Sequence, residues 1–280
     1  MPDKRAYDRK RKTKTETTKK MKVTNKEITP AIARIMLERN TGNRLVNQEH
    51  VRTLTREMLL GRWKFNGDTI CLNGDRLIDG QHRLLAVVAS GVTIETLVVE
   101  GLPSDVFDTK DIGKKRTAAD TLSVRGETQC RNLAAALVVV DRYMTGRVGK
   151  KQTYTNTEVE DLLSKHPEAR RSIRLCKETK KLIPLSVLAG AHYLFAKKDE
   201  SLADIFVHQL ISGSGISAGQ PVYVLRERLL QNSMAKARLS PDYIFAITIK
   251  AWNATRAGKP VRALKFCEDG VSAEAFPVVQ

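Results

Sequence analysis

"LIDGQHRLLAVVASG", residues 77–91, is the stretch on which the reading of this chain turns. From Leu84 to Ala89 it is unbroken apolar sequence, as a buried helix requires, and Gly91 supplies the residue that most easily ends one. Its front half sets Asp79, Gly80, Gln81, His82 and Arg83 where that helix begins. Just upstream, "DTICLNGDRLID" (68–79) reads as two short strands around Asn73-Gly74, a strong short-range hairpin signal. Just downstream, "TIETLVVEGL" (93–102) is rich in β-branched residues and reads as a third strand. Before the hairpin, "RLVNQEHVRTLTREMLLGRW" (44–63) predicts a helix with Asn47 as its cap, Val51, Leu54 and Met58 on one face, and Gly61 at its end. "KEITPAIARIMLERN" (26–40) predicts another, with Pro30 near its first turn. Residues 43–102 therefore form a compact α/β unit in the order helix, hairpin, helix, strand.

Past Gly113 the periodicity is helical throughout. "KRTAADTLSVRG" (115–126) is short, and "QCRNLAAALVVVDRYMTG" (129–146) carries Leu133, Leu137, Val140 and Met144 on one stripe. "TNTEVEDLLSKHP" (155–167) opens with Thr155-x-x-Glu158, a capping box. Further helices are expected over 167–180, 185–197, 200–212, 220–234 and 241–257, with "GRVGKK" (146–151) the expected joint. "IPLSVLAGAHYLFA" (183–196) carries a thin helix-turn-helix cue, and the glycines of "ISGSGISAGQ" (211–220) fit a helix–helix connector better than a phosphate loop. The fold class expected is α+β: a disordered basic arm (1–22), a small α/β domain (23–127), and an all-helical C-terminal domain (128–280).

Charge narrows the partners. The net charge is +17, of which the first 22 residues contribute +7, so the body of the chain is basic as well as the arm. A basic body suits the phosphates of a nucleotide or a nucleic acid, and Arg9, Lys10, Arg11 and Lys12 make the arm a candidate nucleic-acid contact. Aromatic residues are 5% of the chain, too few for a binding mode that needs many stacked rings. Cys71, Cys130, Cys176 and Cys267 stand far apart without metal-binding spacing, and read as reduced thiols of a cytoplasmic protein. No apolar run is long enough to cross a bilayer and no secretory signal opens the chain, so no membrane partner is expected.

The polar residues at 79–83 sit where a helix leaves its first N–H groups unsatisfied and positively polarised. Gly80 would let backbone approach a ligand, and His82 and Arg83 would stand in the first turn, Arg83 with a planar fork suited to phosphate oxygens. Strand, tight turn, glycine and basic first turn make a phosphate cradle. Asp79 has two open readings: a helix cap, or a group that faces Mg2+ or orients an attacking hydroxyl.

"DGQHRLLA" (79–86) resembles the phosphate-binding motif of the ParB/sulfiredoxin superfamily. It matches the GERRxxA pattern of ParB proteins at Gly80, Arg83 and Ala86. It matches the GGCHR of sulfiredoxins at Gly80, His82 and Arg83, and the DGHHR of free-serine kinases at Asp79, Gly80, His82 and Arg83. The resemblance spans roughly residues 25–125 and extends to "NR" (43–44), "GRWKFNGDTI" (61–70) and "DIGKKRTAADTL" (111–122), as in ParB-like proteins of phages and mobile elements. It implies a sulfiredoxin-like fold that binds a nucleoside triphosphate, ATP or CTP, with Mg2+. Gln81 stands where sulfiredoxins have their reactive cysteine, so sulfinic-acid repair is excluded. His82 stands where ParB proteins have an arginine, so CTP preference does not carry over.

Around this motif, Asn43 and Arg44, next to Asn47, form a second polar cluster, with loop and N-cap chemistry as its other reading. Lys114, Lys115, Arg116 and Thr117 precede a helix start and would close over the far side of a phosphate. Glu57, Asp68 and Asp75 are the acids available for a metal or base role and otherwise read as surface acids, His50 reads as helix surface, and His166, His192 and His208 as structural. The expected function is a ParB-like nucleoside-triphosphate-binding protein that binds DNA of phage or plasmid origin, in the host cytoplasm if phage-encoded. An ATP-dependent phosphotransferase using Asp79 is the alternative, and a ParB-like nuclease a weaker one. Whether the chain works as a monomer or a homodimer is left open.

Overall fold

A computed structural model describes residues 20–102, 116–179, 182–235, 239–268 and 273–280. The chain divides into two compact units, Met1–Lys114 and Lys115–Gln280. The arm residues Arg9, Lys10, Arg11 and Lys12 lie outside the described residues, as do Lys114 and Lys115.

The first unit runs β1 (Lys22–Ile28), α1 (Pro30–Leu37), α2 (Gln48–Leu59), β2 (Thr69–Asn73), β3 (Arg76–Asp79), α3 (Gln81–Ser90) and β4 (Ile94–Glu100). Its four strands lie in the order β1-β4-β2-β3, with β2 and β4 parallel and the other two pairs antiparallel. Ile28, Met58, Ile70, Leu77, Leu84, Val87 and Val98 fill the core between the helices and one face of the sheet.

β1 corrects the expectation of a helix from residue 26. Pro30 occupies the first helical position rather than an interior one, and Thr29 caps the helix by accepting the Ile32 N–H. A residue before proline is pushed out of helical geometry, so everything upstream of Thr29 is extended. Lys22–Ile28 then pairs along its whole length with β4. The hairpin is where it was expected, one residue displaced. Asn73 pairs with Arg76, and Gly74 and Asp75 form the loop, with Gly74 at φ +54°. Glycine with positive φ at the first loop position is the II′ requirement.

The second unit comprises α4 (Ala118–Val124), α5 (Cys130–Met144), α6 (Asn156–Lys165), α7 (Ala169–Cys176), α8 (Leu185–Ala196), α9 (Glu200–Ser212), α10 (Pro221–Met234) and α11 (Pro241–Arg256), and no strand occurs among its described residues. The division comes earlier than the 127/128 boundary expected from the sequence, because Leu122 of α4 is buried in the helical core. Residues 146–151 are a connector between α5 and α6 inside this unit, not a joint between domains. Thr155 and Glu158 form the expected capping box. Leu133, Leu137 and Val140 of the α5 stripe are buried, while Met144 is exposed.

α8 runs through the middle of this core. It is buried from Val187 to Phe195, and Phe195 stacks on Trp252 of α11 with ring centroids 4.5 Å apart and planes 4° from parallel. Gly190 lets it press on α5, since a Cβ there would lie 2.9 Å from Val139 Cγ1. A helix apolar on every side belongs inside a protein. α8 therefore has no face to lay in a DNA groove and is not itself a recognition helix.

Candidate functional site

The mouth of α3 is shaped by an irregularity in β3. Cys71 faces Asp79 while Leu72 faces Leu77, so Ile78 is an extra residue on β3 and bulges the hairpin there. Gly80 follows in left-handed geometry, at φ +106°. Glycine is needed here for space as well as conformation: a Cβ would lie 3.0 Å from Ile70 Cγ1 and 3.4 Å from Ile70 Cα. The close approach expected of Gly80 toward a ligand is thus, in this structure, an approach to the neighbouring strand β2. No N-cap side chain closes the first turn of α3, in contrast to α1, α2, α4 and α6, which Thr29, Asn47, Thr117 and Thr155 cap.

Asp79 and Arg83 form the polar rim. Asp79 Oδ1 accepts the Gly80 N–H at 2.7 Å, and Asp79 Oδ2 accepts from Arg83 Nη2 at 3.3 Å. The Arg83 side chain is only 14% exposed, with Nη1 3.8 Å from Asp68 Oδ2. That nitrogen is buried and has no hydrogen-bond acceptor among the described residues. Thr96 Oγ1, buried in β4, donates to the Asp68 carbonyl at 2.8 Å and fixes the segment that brings Asp68 to Arg83. Asp68, weighed from the sequence as a surface acid, is exposed and belongs to the rim.

Gln81 and His82 are turned inward, at 6% and 7% exposure. Gln81 Nε2 donates to the Arg44 carbonyl at 3.1 Å, and Gln81 Oε1 accepts from Asn40 Nδ2 at 3.3 Å. His82 Nε2 accepts the Asn47 N–H at 3.0 Å, and its ring meets His50 edge-on. Asn43 Nδ2 donates to the Leu77 carbonyl at 2.7 Å and to Asn40 Oδ1 at 2.6 Å. Arg76 reaches the carbonyls of Thr41 and Gly42 from the other side. These side chains together hold the segment 40–47 against β3 and α3. The expectation that the Gln81 and His82 side chains reach a phosphate is corrected accordingly: buried polar groups need partners, and here they find them in the backbone of that segment. Asn43, Arg44 and residues 79–83 are brought together as expected, with Arg44 exposed. Asn47 was read beside Asn43 and Arg44, whereas Asn40 and Arg76 were missed as members of the cluster, since nothing local in their sequence points across to its other segments.

Arg116 is exposed and its carbonyl accepts from Asn156. Thr117 is the N-cap of α4, in a reciprocal capping box with Asp120, so its hydroxyl is committed locally. Glu57 is buried beside Arg62 at 3.4 Å, a departure from the surface acid expected, and Asp75 is exposed in the hairpin loop. Among the described residues no group of three or more His, Cys, Asp or Glu side chains is placed to hold a metal ion.

The helical unit contains a serine–histidine–aspartate series that the sequence did not reveal. His192 Nδ1 lies 2.9 Å from Ser172 Oγ, and Nε2 lies 2.9 Å from Asp204 Oδ1. Arg171 donates to both Asp204 oxygens, at 3.0 and 2.6 Å. Burial pushes the His192 ring below its ordinary range even though Asp204 pulls the other way, while the Arg171 bonds hold the Asp204 carboxyl low. Ser172 and His192 are 2% and 0% exposed. No substrate reaches a hydroxyl so enclosed, so the series is a strut joining α7, α8 and α9. Burial likewise pushes the Cys176 thiol up, away from nucleophilic use. His166 is also structural, with Nδ1 2.8 Å from the Tyr193 hydroxyl.

Comparison with protein-family models finds none that matches this chain, and no curated protein matches it either. Among the described residues no helix is long and apolar enough to cross a membrane.

Proposed function

We propose that the α/β unit binds a Mg2+–nucleoside triphosphate at the mouth of α3, in the manner of ParB/sulfiredoxin-like domains, and that the helical unit and basic arm hold nucleic acid. The order helix, hairpin, helix, strand read from the sequence around the motif is the order of α2, β2–β3, α3 and β4. The observation that carries the proposal is Arg83: a nearly buried guanidinium in the first turn of a helix without a side-chain cap, with one nitrogen lacking a hydrogen-bond acceptor. A phosphoryl oxygen supplies that acceptor and also meets the positive end of the helix.

Two carboxylates flank Arg83, and they would repel a bare triphosphate. Mg2+ removes that repulsion, and it typically needs only one or two carboxylates when phosphates complete its shell. Asp68, the exposed member, fits that role, and Asp79 is second to it because both its oxygens are already engaged. The same engagement weighs against the phosphotransferase alternative, which asks Asp79 to take a proton from an acceptor hydroxyl. Nothing among the described residues favours a nuclease.

Thermal melts of the full chain with ATP, CTP or GTP, each with and without Mg2+, test the reading. A ligand at a hundred times its Kd stabilises the native state by about 2.7 kcal/mol, a readily measured rise in Tm. At least one Mg2+–nucleotide raises Tm, and Arg83→Gln abolishes the rise while the variant still melts cooperatively. No rise with any of the three overturns the proposal.

A further inference from the structure

A groove in the helical unit, remote in sequence from the α3 mouth, has the chemistry of a nucleotide site. It lies between α10, α11 and the extended segment 262–267, with a volume of about 640 Å3. That is within the size range of small-ligand sites. Tyr223, Glu227, Arg228 and Gln231 line it from one face of α10, Tyr243 from α11, and Arg262 and Lys265 from the extended segment.

The wall is held in place rather than loosely laid. Leu264 and Phe266 are buried, and Phe266 meets Tyr243 edge-on. Lys250 Nζ donates to the Lys265 carbonyl and to Glu274, each at 2.6 Å, and Glu274 also accepts the Cys267 N–H. These bonds offset the charge of Glu274, and the other acid among the described lining residues, Glu227, stands against Arg228, Arg262 and Lys265.

The groove also presents polar groups that no described residue engages. Tyr223, Arg228 and Tyr243 are all half-buried, yet the two hydroxyls and the guanidinium make no hydrogen bond or ion pair among the described residues. Among the described residues the other half-buried arginines of the helical unit are engaged: Arg142 with Asp242, Arg147 with Gln152, Arg170 with Glu127, Arg171 with Asp204, and Arg226 with the carbonyls of Leu210 and Ile211. A cation and two phenols uncommitted to the protein and lining one groove suit a ligand that supplies acceptors and a flat face to stack.

We propose that this groove binds a nucleotide unit, its base against the tyrosine faces and its phosphate on Arg228 and Arg262. π faces take any base, and a guanidinium grips phosphate. The unit could be free or part of a single strand. The proposal rests on the reading that the helical unit holds nucleic acid, and is independent of the α3 mouth.

Fluorescence anisotropy of a labelled oligothymidylate on the full chain tests it, with thymidine monophosphate as competitor. Tyr243→Leu weakens strand binding by roughly 5- to 100-fold, the range expected for one base–aromatic stack. Arg228→Gln lowers the slope of log affinity against log salt by about one, a change that general loosening of the fold does not produce. Iodouracil substituted into the strand photocrosslinks to Tyr223 or Tyr243, a readout that needs no variant to fold. Competition by the monophosphate assigns the site to a free nucleotide, and strand binding without competition assigns it to polymer. Strand binding that is unchanged in both variants, with crosslinks elsewhere, overturns the groove and leaves the wider nucleic-acid reading standing. No binding of either probe by the unsubstituted chain overturns both.

Discussion

Replacing Gly80 by alanine tests the geometry of the α3 mouth, and Gly91→Ala at the other end of the same helix is its control. Both glycines have positive φ, +106° and +72°. An L-residue in left-handed geometry costs about 1–2 kcal/mol, partly offset because alanine also restricts the unfolded chain. At Gly91 a Cβ meets nothing within 4 Å, so Gly91→Ala costs about 1 kcal/mol and no more. At Gly80 the Cβ lies 3.0 Å from Ile70 Cγ1 and 3.4 Å from Ile70 Cα. The side chain could turn away, but the Cα belongs to a strand paired on both sides, with β3 and β4. Overpacking of that kind adds about 1–3 kcal/mol, for a total of roughly 2–4 kcal/mol. Hydrogen exchange of the amides of Leu84 to Val88, followed by mass spectrometry, reads the cost as local opening. Exchange through α3 accelerates about 30- to 1000-fold in Gly80→Ala and about fivefold in Gly91→Ala, following the conversion of free energy to an equilibrium constant. Equal acceleration in the two variants refutes the argument that Gly80 is pressed against β2.

Three further outcomes follow from the polar networks. Gln81→Leu removes both bonds to the 40–47 segment, so exchange at residues 43–47 rises severalfold while overall stability falls by about 1 kcal/mol; an unchanged segment refutes the strut role. His192, depressed by burial, is neutral in the folded chain and takes a proton more readily once unfolded. Stability therefore falls as pH drops through about 6.5, the unfolded value, and Asp204, held low by Arg171, adds a second loss below about pH 4. Thermal melts across this range show the first loss in the unsubstituted chain and less of it in His192→Gln; equal profiles refute the assignment. Thr155→Ala deletes the cap of α6 and lowers unfolding free energy by about 1 kcal/mol in urea titration, whereas Arg125→Ala, at an exposed ion pair with Glu160, stays within about 0.5 kcal/mol.

Much of the architecture could be read locally. The positions of α5 to α11 follow from apolar runs and stripes, from the cap Thr155, and from glycine or proline at the ends, because these are short-range effects that each segment carries in itself. The hairpin and α3 were legible for the same reason: a turn glycine, a left-handed glycine and an apolar run lie within twenty residues of one another. β1 was not, because its sequence KVTNKEI has one buried residue, Ile28, and little pattern. What makes it a strand is β4, more than sixty residues away, offering an open edge along its whole length.

The mouth of α3 divides in the same way. That a strand, a glycine and an arginine meet at a helix start was written in residues 76–83, since steric freedom and helix polarity are properties of a few consecutive residues. The direction in which Gln81 and His82 point was not, for their partners Asn40, Arg44 and Asn47 come from a different segment, and only the packed chain brings those acceptors and donors within reach. The groove of Tyr223, Arg228 and Tyr243 and the His192 strut are likewise products of packing alone. The sequence specifies conformations by local sterics and burial by periodicity; which polar groups find a partner within the protein is decided only when distant segments compete for the same hydrogen bonds.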